Sequence, residues 1–270
     1  MRAFAVLAWE SLRDALRRRL AISVALVLVL GVAAAQSCTQ IGVGGVSIQG
    51  APVEPRLLAG YVAPLLFGFQ ALAVLAMAGL VASDHLARPL AEGSAVLWLA
   101  RPVSRAAFAG ARLAGALVVT LGAGALLLGA TSALLVVRQG VAIAPALAGC
   151  AATALGAVVV ASLTMTASLV MGRTAVLLFV GLGLTFAAYA NGVGLVSDLV
   201  HPDVEVGGLV GAMNRFGPPL FTAIAAAVSA WNPHVDAGDS WPHAMVRLAA
   251  WSVAGVALLL LRFRRREIES

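Results

Sequence analysis

The chain has 270 residues, 61% of them hydrophobic and 11% charged, with a mean hydropathy of +0.98 and a formal net charge of +6. Soluble domains carry about 25% charged residues, so this composition excludes a water-soluble globular protein, and no basic water-facing surface of the kind nucleic acids require is visible. All 18 basic residues are arginine; without a lysine to reach the β/γ-phosphates there is no Walker-type P-loop, and the chain is not expected to be an enzyme that hydrolyses ATP by that route.

Apolar stretches of about 20 residues recur along the whole length and are continuous rather than alternating, which predicts transmembrane helices and not barrel strands. The first unit, residues 1–19, is amphipathic. On a helical wheel Phe4, Leu7, Ala8, Trp9, Leu12 and Leu16 fall on one side, while Arg2, Glu10, Arg13, Asp14 and Arg17 fall on the other. That pattern predicts a helix lying in the membrane interface, ended at the headgroups by Arg17, Arg18 and Arg19. The competing reading is a signal-peptide n-region with Ala33-Ala34-Ala35 as the cleavage box, but the unit is long and amphipathic for that role.

Residues 20–270 then form one domain of six predicted spans, at about 20–35, 58–82, 110–136, 146–171, 174–193 and 244–261. The fold class is therefore all-α and polytopic. A Gly-rich loop, 36–56, follows the first span, and a polar segment, 83–105, follows the second. The long stretch 194–242 is acidic and punctuated by Pro and Gly. Within it, residues 221–231 are apolar but too short to span, with Pro218-Pro219 before and Asn232-Pro233 after. They predict a re-entrant or interfacial helix before the last span.

Orientation follows from arginine asymmetry. With the N-terminus cytoplasmic, 14 arginines fall inside and only Arg56, Arg138, Arg215 and Arg247 outside. A seventh span at 221–231 would put the basic tail outside, against that rule. Both termini are expected in the cytoplasm, in a bacterial inner membrane.

Few motifs carry chemistry. There is no HExxH helix and no GxSxG elbow, and Cys38 and Cys150 suggest neither a disulfide framework nor a metal set. Leu147-Ala148-Gly149-Cys150 matches a lipoprotein box in letters, but it opens the fourth span instead of ending a signal. His201, His234 and His243 sit among Asp198, Asp203, Glu205, Asp236 and Asp239 without ligand-like spacing, so they read as a solvated loop and no metal or cofactor is expected. Asp84, Arg112 and Arg247 fall near helix ends, within snorkelling reach of water. No carboxylate or histidine marks a mid-span proton relay, although Gln70, Thr120 and Asn191 could line a polar path. Gly122, Gly124, Gly129, Gly181 and Gly183 permit close helix packing or a lumen.

The informative stretch is the inner segment, residues 92–105: Glu92-Gly93-Ser94-Ala95-Val96-Leu97-Trp98-Leu99-Ala100-Arg101-Pro102-Val103-Ser104-Arg105. Val96, Leu97, Leu99 and Ala100 make an apolar strip bounded by charges and too short to span, which predicts a short helix along the inner face. Pro102 stops it and Ser104 can cap the next helix. Arg101 and Arg105 suit acidic headgroups or an acidic groove on a cytoplasmic partner.

This segment resembles the inner loop of ABC-2-type transporter permeases, which carry an E-G-T-L-x-x-L-L-x-x-P-V-S-R pattern before their third span. Glu92, Gly93, Leu99, Pro102, Val103, Ser104 and Arg105 match it, Ser94 keeps the hydroxyl of the usual Thr, and Arg112 stands where Lys is frequent. Ala87-Arg88-Pro89-Leu90 departs from the family's acidic-basic run. The interfacial helix, six spans and re-entrant element fit the same layout. The resemblance implies a permease that pairs with a second copy and docks two separate P-loop ATPase subunits, with the inner loop (Glu92, Gly93, Ser94, Arg101, Pro102, Ser104, Arg105) and the N-terminal helix transmitting their closure to drive export. Some family members, among them a subgroup linked to maturation of periplasmic metalloenzymes, blur transport with mechanical work, and the outer His/Asp segment leans toward that subgroup. The alternatives are a secondary transporter or channel-like protein acting without an ATPase, or a non-transporting assembly component.

Overall fold

The computed structural model describes residues 6, 9, 10, 13, 26, 29–33, 36, 37, 47, 48, 51, 52, 55–93, 104–200, 207–232 and 240–265. A two-residue antiparallel pairing, β1 (Ser47–Ile48) with β2 (Ala51–Pro52), precedes the helices. The helices are α1 (Pro55–His85), α2 (Ala87–Ala91), α3 (Arg105–Gln139), α4 (Ile143–Ser168), α5 (Arg173–Val200), α6 (Gly208–Phe216), α7 (Leu220–Val228) and α8 (Ser240–Arg265), with a 3₁₀ turn at Ser229–Trp231.

Each boundary has a local cause. Pro55 opens α1, where a missing N–H costs nothing. Ser104 is extended and its Oγ accepts the Ala107 amide at 3.1 Å, starting α3. Gly140, at φ 66°, ends α3 in the left-handed conformation that glycine adopts without penalty. Predicted span 146–171 ends early at Ser168, because Leu169, Val170 and Met171 fold back in turns onto the Thr166 and Ala167 carbonyls.

Five helices are long and apolar enough to cross a membrane: Gly60–Leu90, Arg105–Gln139, Ile143–Ser168, Arg173–Gly194 and Trp241–Arg265. The protein is thus a polytopic helical membrane protein, and these five cover the predicted spans from 58 onward. At 1.5 Å per residue, the 35-residue α3 measures about 52 Å, well beyond a hydrocarbon layer of roughly 30 Å, so its ends project past the apolar layer or it tilts. The predicted first span, 20–35, and the interfacial helix, 1–19, lie mostly outside the described residues. Residues 6, 9, 10 and 13 and residues 26, 29–33, 36 and 37 among them are helical, and Val6, Trp9, Leu26, Val29 and Leu30 are exposed.

α4 is the central helix. It packs on α1, α3, α7 and α8, and small residues let those neighbours approach. A Cβ on Gly156 would meet Leu75 at 3.0 Å, and one on Gly255 of α8 would meet Ser162 Oγ at 2.4 Å. Ser252 of α8 also donates across to the Leu155 carbonyl at 3.1 Å. Such small-residue contacts are the means by which helices associate when lipid is as apolar as the side chains.

The buried apolar residues fall into two clusters stacked along the bundle. One gathers Phe67, Leu75, Leu127, Leu135, Ile224, Trp231 and Leu248. The other gathers Met77, Val81, Leu86, Phe108, Leu113, Met165, Leu259 and Phe263. Between elements of the first cluster lies a polar contact. Gln70, 4% exposed, donates through Nε2 to the Gly31 carbonyl at 2.9 Å, and the hydroxyl of Thr131 lies between Gln70 Oε1 and the Leu127 carbonyl. Gln70 thereby joins α1, α3 and the N-terminal helical residues.

Of the glycines read as packing or lumen residues, Gly124 packs on Val74 of α1 (2.9 Å from an added Cβ), whereas Gly122, Gly129, Gly181 and Gly183 have open space beside them. They sit on the outer faces of α3 and α5 among Val118, Leu126, Leu178, Phe179 and Leu182, all exposed.

Candidate functional site

The ends of the bundle differ in charge. The α1–α3 connection, the turn between α4 and α5, and the end of α8 meet at one end, bringing Arg88, Arg105, Arg112, Arg173, Arg262, Arg264 and Arg265 together. The contacts that establish this are the stacked rings of Phe108 and Phe263, 6.0 Å between centroids, and the ion pair of Arg173 with Asp84 at 3.0 Å. Arg56, Arg138, Arg215 and Arg247 lie at the other end.

The basic end holds the α1–α3 connection. His85 closes α1, its Nδ1–H donating to the Val81 carbonyl at 2.8 Å, and a turn at the buried Leu86 (φ −112°) separates it from α2. α2 stops at Glu92 and Gly93. The Glu92 amide returns to the Arg88 carbonyl at 2.9 Å, and Gly93 takes φ 72°, a conformation that costs other L-residues about 1–2 kcal/mol. Glu92 and Gly93, both exposed, therefore sit at a fixed turn. Glu92 forms an ion pair with Arg88 one turn before it, with both side chains about half exposed (51% and 50%). Such an exposed i,i+4 pair contributes only about 0.3–0.5 kcal/mol, so it orients the glutamate more than it stabilises the fold. The i,i+4 spacing of Arg88 and Glu92 is legible in the sequence.

Ser94, Arg101 and Pro102 lie outside the described residues. On the far side of that gap Ser104 caps α3 as expected, and Arg105 is exposed at the first helical position. A cation there opposes the positive end of the helix dipole. Of the inner-loop residues, the described ones thus flank the connection on two sides, Glu92-Gly93 and Ser104-Arg105.

Arg112 departs from the snorkelling expectation. It is 7% exposed, buried two turns into α3, with its guanidinium carbon 5.4 Å from the centroid of the Phe108 ring. That cation–π contact partly offsets the loss of water. The α3 axis carries residue 112 inward behind Phe108, a placement its distance from the helix end could not reveal.

The opposite end is built around a broken helix. Residues 208–216 form α6, an element not foreseen in the segment 194–242, and Gly217-Pro218-Pro219 interrupts the chain before α7 and its 3₁₀ extension, residues 220–231. This apolar piece is buried against α1, α4, α5 and α8 through Leu220, Ala223, Ile224 and Val228. Trp231 ends it, donating from Nε1 to the Ala142 carbonyl at 2.7 Å and meeting Phe67 edge-on at 5.7 Å.

Both ends of the break are satisfied by side chains from other helices. Arg247 of α8 donates to the Asn214, Arg215 and Gly217 carbonyls at 2.8, 3.1 and 3.1 Å, covering the orphan carbonyls and negative dipole end of α6. Asn191 of α5, 1% exposed, accepts the Phe221 amide at 3.1 Å on Oδ1, which caps α7 from a distance. Its Nδ2 donates to Asn214 Oδ1 at 3.0 Å, and Asn214 Nδ2 donates to the Ala190 carbonyl at 2.9 Å. Asn214 had no sequence signal beyond preceding Gly-Pro-Pro. Asn191 and Arg247 were noted, but as a path-lining polar residue and a snorkelling cation.

Among the described residues no group of three metal-ligating side chains occurs. His201 and His234 lie outside those residues. The chain matches no protein-family model and no curated protein.

Proposed function

We propose that this protein is the six-span permease subunit of an ABC-2-type transporter, with ATP hydrolysis supplied by a separate P-loop subunit. The observation that carries the reading is the connection between α1 and α3. The matching motif residues Glu92, Gly93, Ser104 and Arg105 flank it as two shoulders at the arginine-rich end of the bundle. A connection held at a left-handed glycine on one side and a capped helix start on the other transmits a push into two long helices. Arg105, retained against the α3 dipole, suits an acidic face on the ATPase.

Three further features support the same reading. Seven described arginines at one end against four at the other (Arg56, Arg138, Arg215 and Arg247) favour a cytoplasmic basic end under the positive-inside rule, and with it cytoplasmic termini in a bacterial inner membrane. The buried α7, entered through the break at residues 217–219, has the form of a re-entrant element, since irregular backbone is tolerated where protein satisfies it, as Asn191 and Arg247 do here. The exposed small-residue faces of α3 and α5 (Gly122, Gly129, Gly181, Gly183) suit close approach of a second copy. Residues 20–35 supply the sixth span and residues 1–19 the interfacial helix.

The experiment is purification in mild detergent from the native host. Recovery of a stoichiometric P-loop ATPase, lost in Glu92→Ala and Arg105→Ala variants that still insert, supports the reading. A lone chain that transports without an ATPase sinks it in favour of a secondary transporter.

A further inference from the structure

At the basic end, the turn after α4 and the last turns of α8 border a groove of about 510 Å³, lined by Leu169, Val170, Leu258, Leu261, Arg262 and Arg265. That volume lies within the roughly 300–1,000 Å³ of small-molecule sites. The lining is graded. Leu169 is buried at the base, while Val170, Leu258 and Leu261 are exposed apolar walls at 67%, 48% and 55%. Arg262 and Arg265, both exposed, close the polar end of the groove. Three residues apart on one helix, their side chains fall on one face. Among the described residues, no acidic side chain lines the groove.

We infer that this groove binds an anionic phospholipid, with its phosphate on Arg262 and Arg265 and its upper acyl chain along Leu258, Leu261 and Val170. The apolar-to-cationic gradient follows the lipid's own polarity from chain to headgroup, and α8 crosses from apolar to basic sequence at Leu261–Arg262, where a span meets the water interface. A guanidinium presents forked donors that match phosphate oxygens. Two cations over the carbonyl ends of α4 and α8 leave a net positive site for a headgroup of net negative charge. A second copy of this chain would bring the same arginines face to face, and an acidic protein segment would leave the leucine and valine walls unused.

The test uses the full-length chain, purified and reconstituted in nanodiscs of phosphatidylcholine with or without phosphatidylglycerol. Native mass spectrometry then reads the lipid that stays bound. Phosphatidylglycerol is expected to be retained over phosphatidylcholine, and the double variant Arg262→Gln/Arg265→Gln to bind it roughly 25-fold more weakly, at about fivefold per interfacial arginine. Val170→Trp fills the apolar wall with both cations intact and is expected to lower retention as well. Arg138→Gln, which removes a cation at the far end, is expected to change nothing.

Equal retention of the two lipids overturns the proposal. So does the same loss in Arg138→Gln, which would signal general surface charge. Displacement of the lipid by millimolar inorganic phosphate would make it a free-anion site. Unchanged lipid preference in the double variant overturns it as well. No arm needs the ATPase to be present, so the lipid site and the permease reading fail separately.

Discussion

The two ends of this bundle solve the same problem, ending helices without stranding polar backbone, in different ways. At the end carrying Arg247, the break between α6 and α7 is half-buried, and two side chains from other helices, Asn191 and Arg247, supply its hydrogen bonds. At the end carrying Arg105 and Arg262, helices stop near water, and local devices suffice: the Ser104 hydroxyl, the Gly93 turn and the Arg88–Glu92 pair. The first arrangement is tertiary and costly to disturb. The second is local and cheap to disturb.

That contrast is open to direct tests, beginning with the largest expected effect. Arg247→Ala leaves three carbonyls without their donor; with charge-assisted bonds contributing about 1.5–3 kcal/mol each in isolation and non-additively, the variant is expected to lose about 3 kcal/mol, read as thermal unfolding in detergent. Arg247→Lys should recover only part of this, because all three bonds leave Nη2 at the tip of the guanidinium, a position that the shorter lysine side chain does not reach. An unchanged unfolding temperature would mean the broken helix is not held by this clamp.

Overpacking beside α7 comes next. A Cβ at Gly149 would lie 2.7 Å from Phe67 Cε1 and 3.0 Å from Val228 Cγ1, so Gly149→Leu should destabilise by about 1–3 kcal/mol. It should also shift the tryptophan emission of Trp231, which rests on Phe67.

At the basic end the effects shrink. Ser104→Ala removes the α3 cap and is expected to cost about 1 kcal/mol, measurable as faster amide exchange over residues 105–108. Glu92→Gln breaks only an exposed ion pair and should change stability by less than about 0.5 kcal/mol. If the α1–α3 connection engages an ATPase, the same variant lowers ATPase recovery out of proportion to that change. A stability loss comparable to that of Arg247→Ala would erase the distinction between the ends.

How much was legible in advance follows the same division. Leu-, Ala- and Val-rich runs of helical length indicated the spans that α1, α3, α4, α5 and α8 supply. Pro218-Pro219 and Asn232-Pro233 bounded the short apolar helix, and Ser104 announced its own cap. These are local signals, readable over one or two turns. Arg112 was misjudged because distance from a helix end does not say which way the helix faces. The α6 helix was missed because its glycines and single arginine have no long apolar period.

By itself, then, the sequence determined the solvent, the helical spans, and the absence of a lysine-bearing P-loop, because hydrophobicity, charge and residue type are properties each segment carries alone. Tertiary structure alone decided that Asn191, Asn214 and Arg247, up to 56 positions apart, share one site. It also decided that Arg112 turns inward, and that Val170 and Arg262 face one groove. Hydrogen bonds and shared cavities belong to pairs of elements, and no single segment encodes which other segment it will meet.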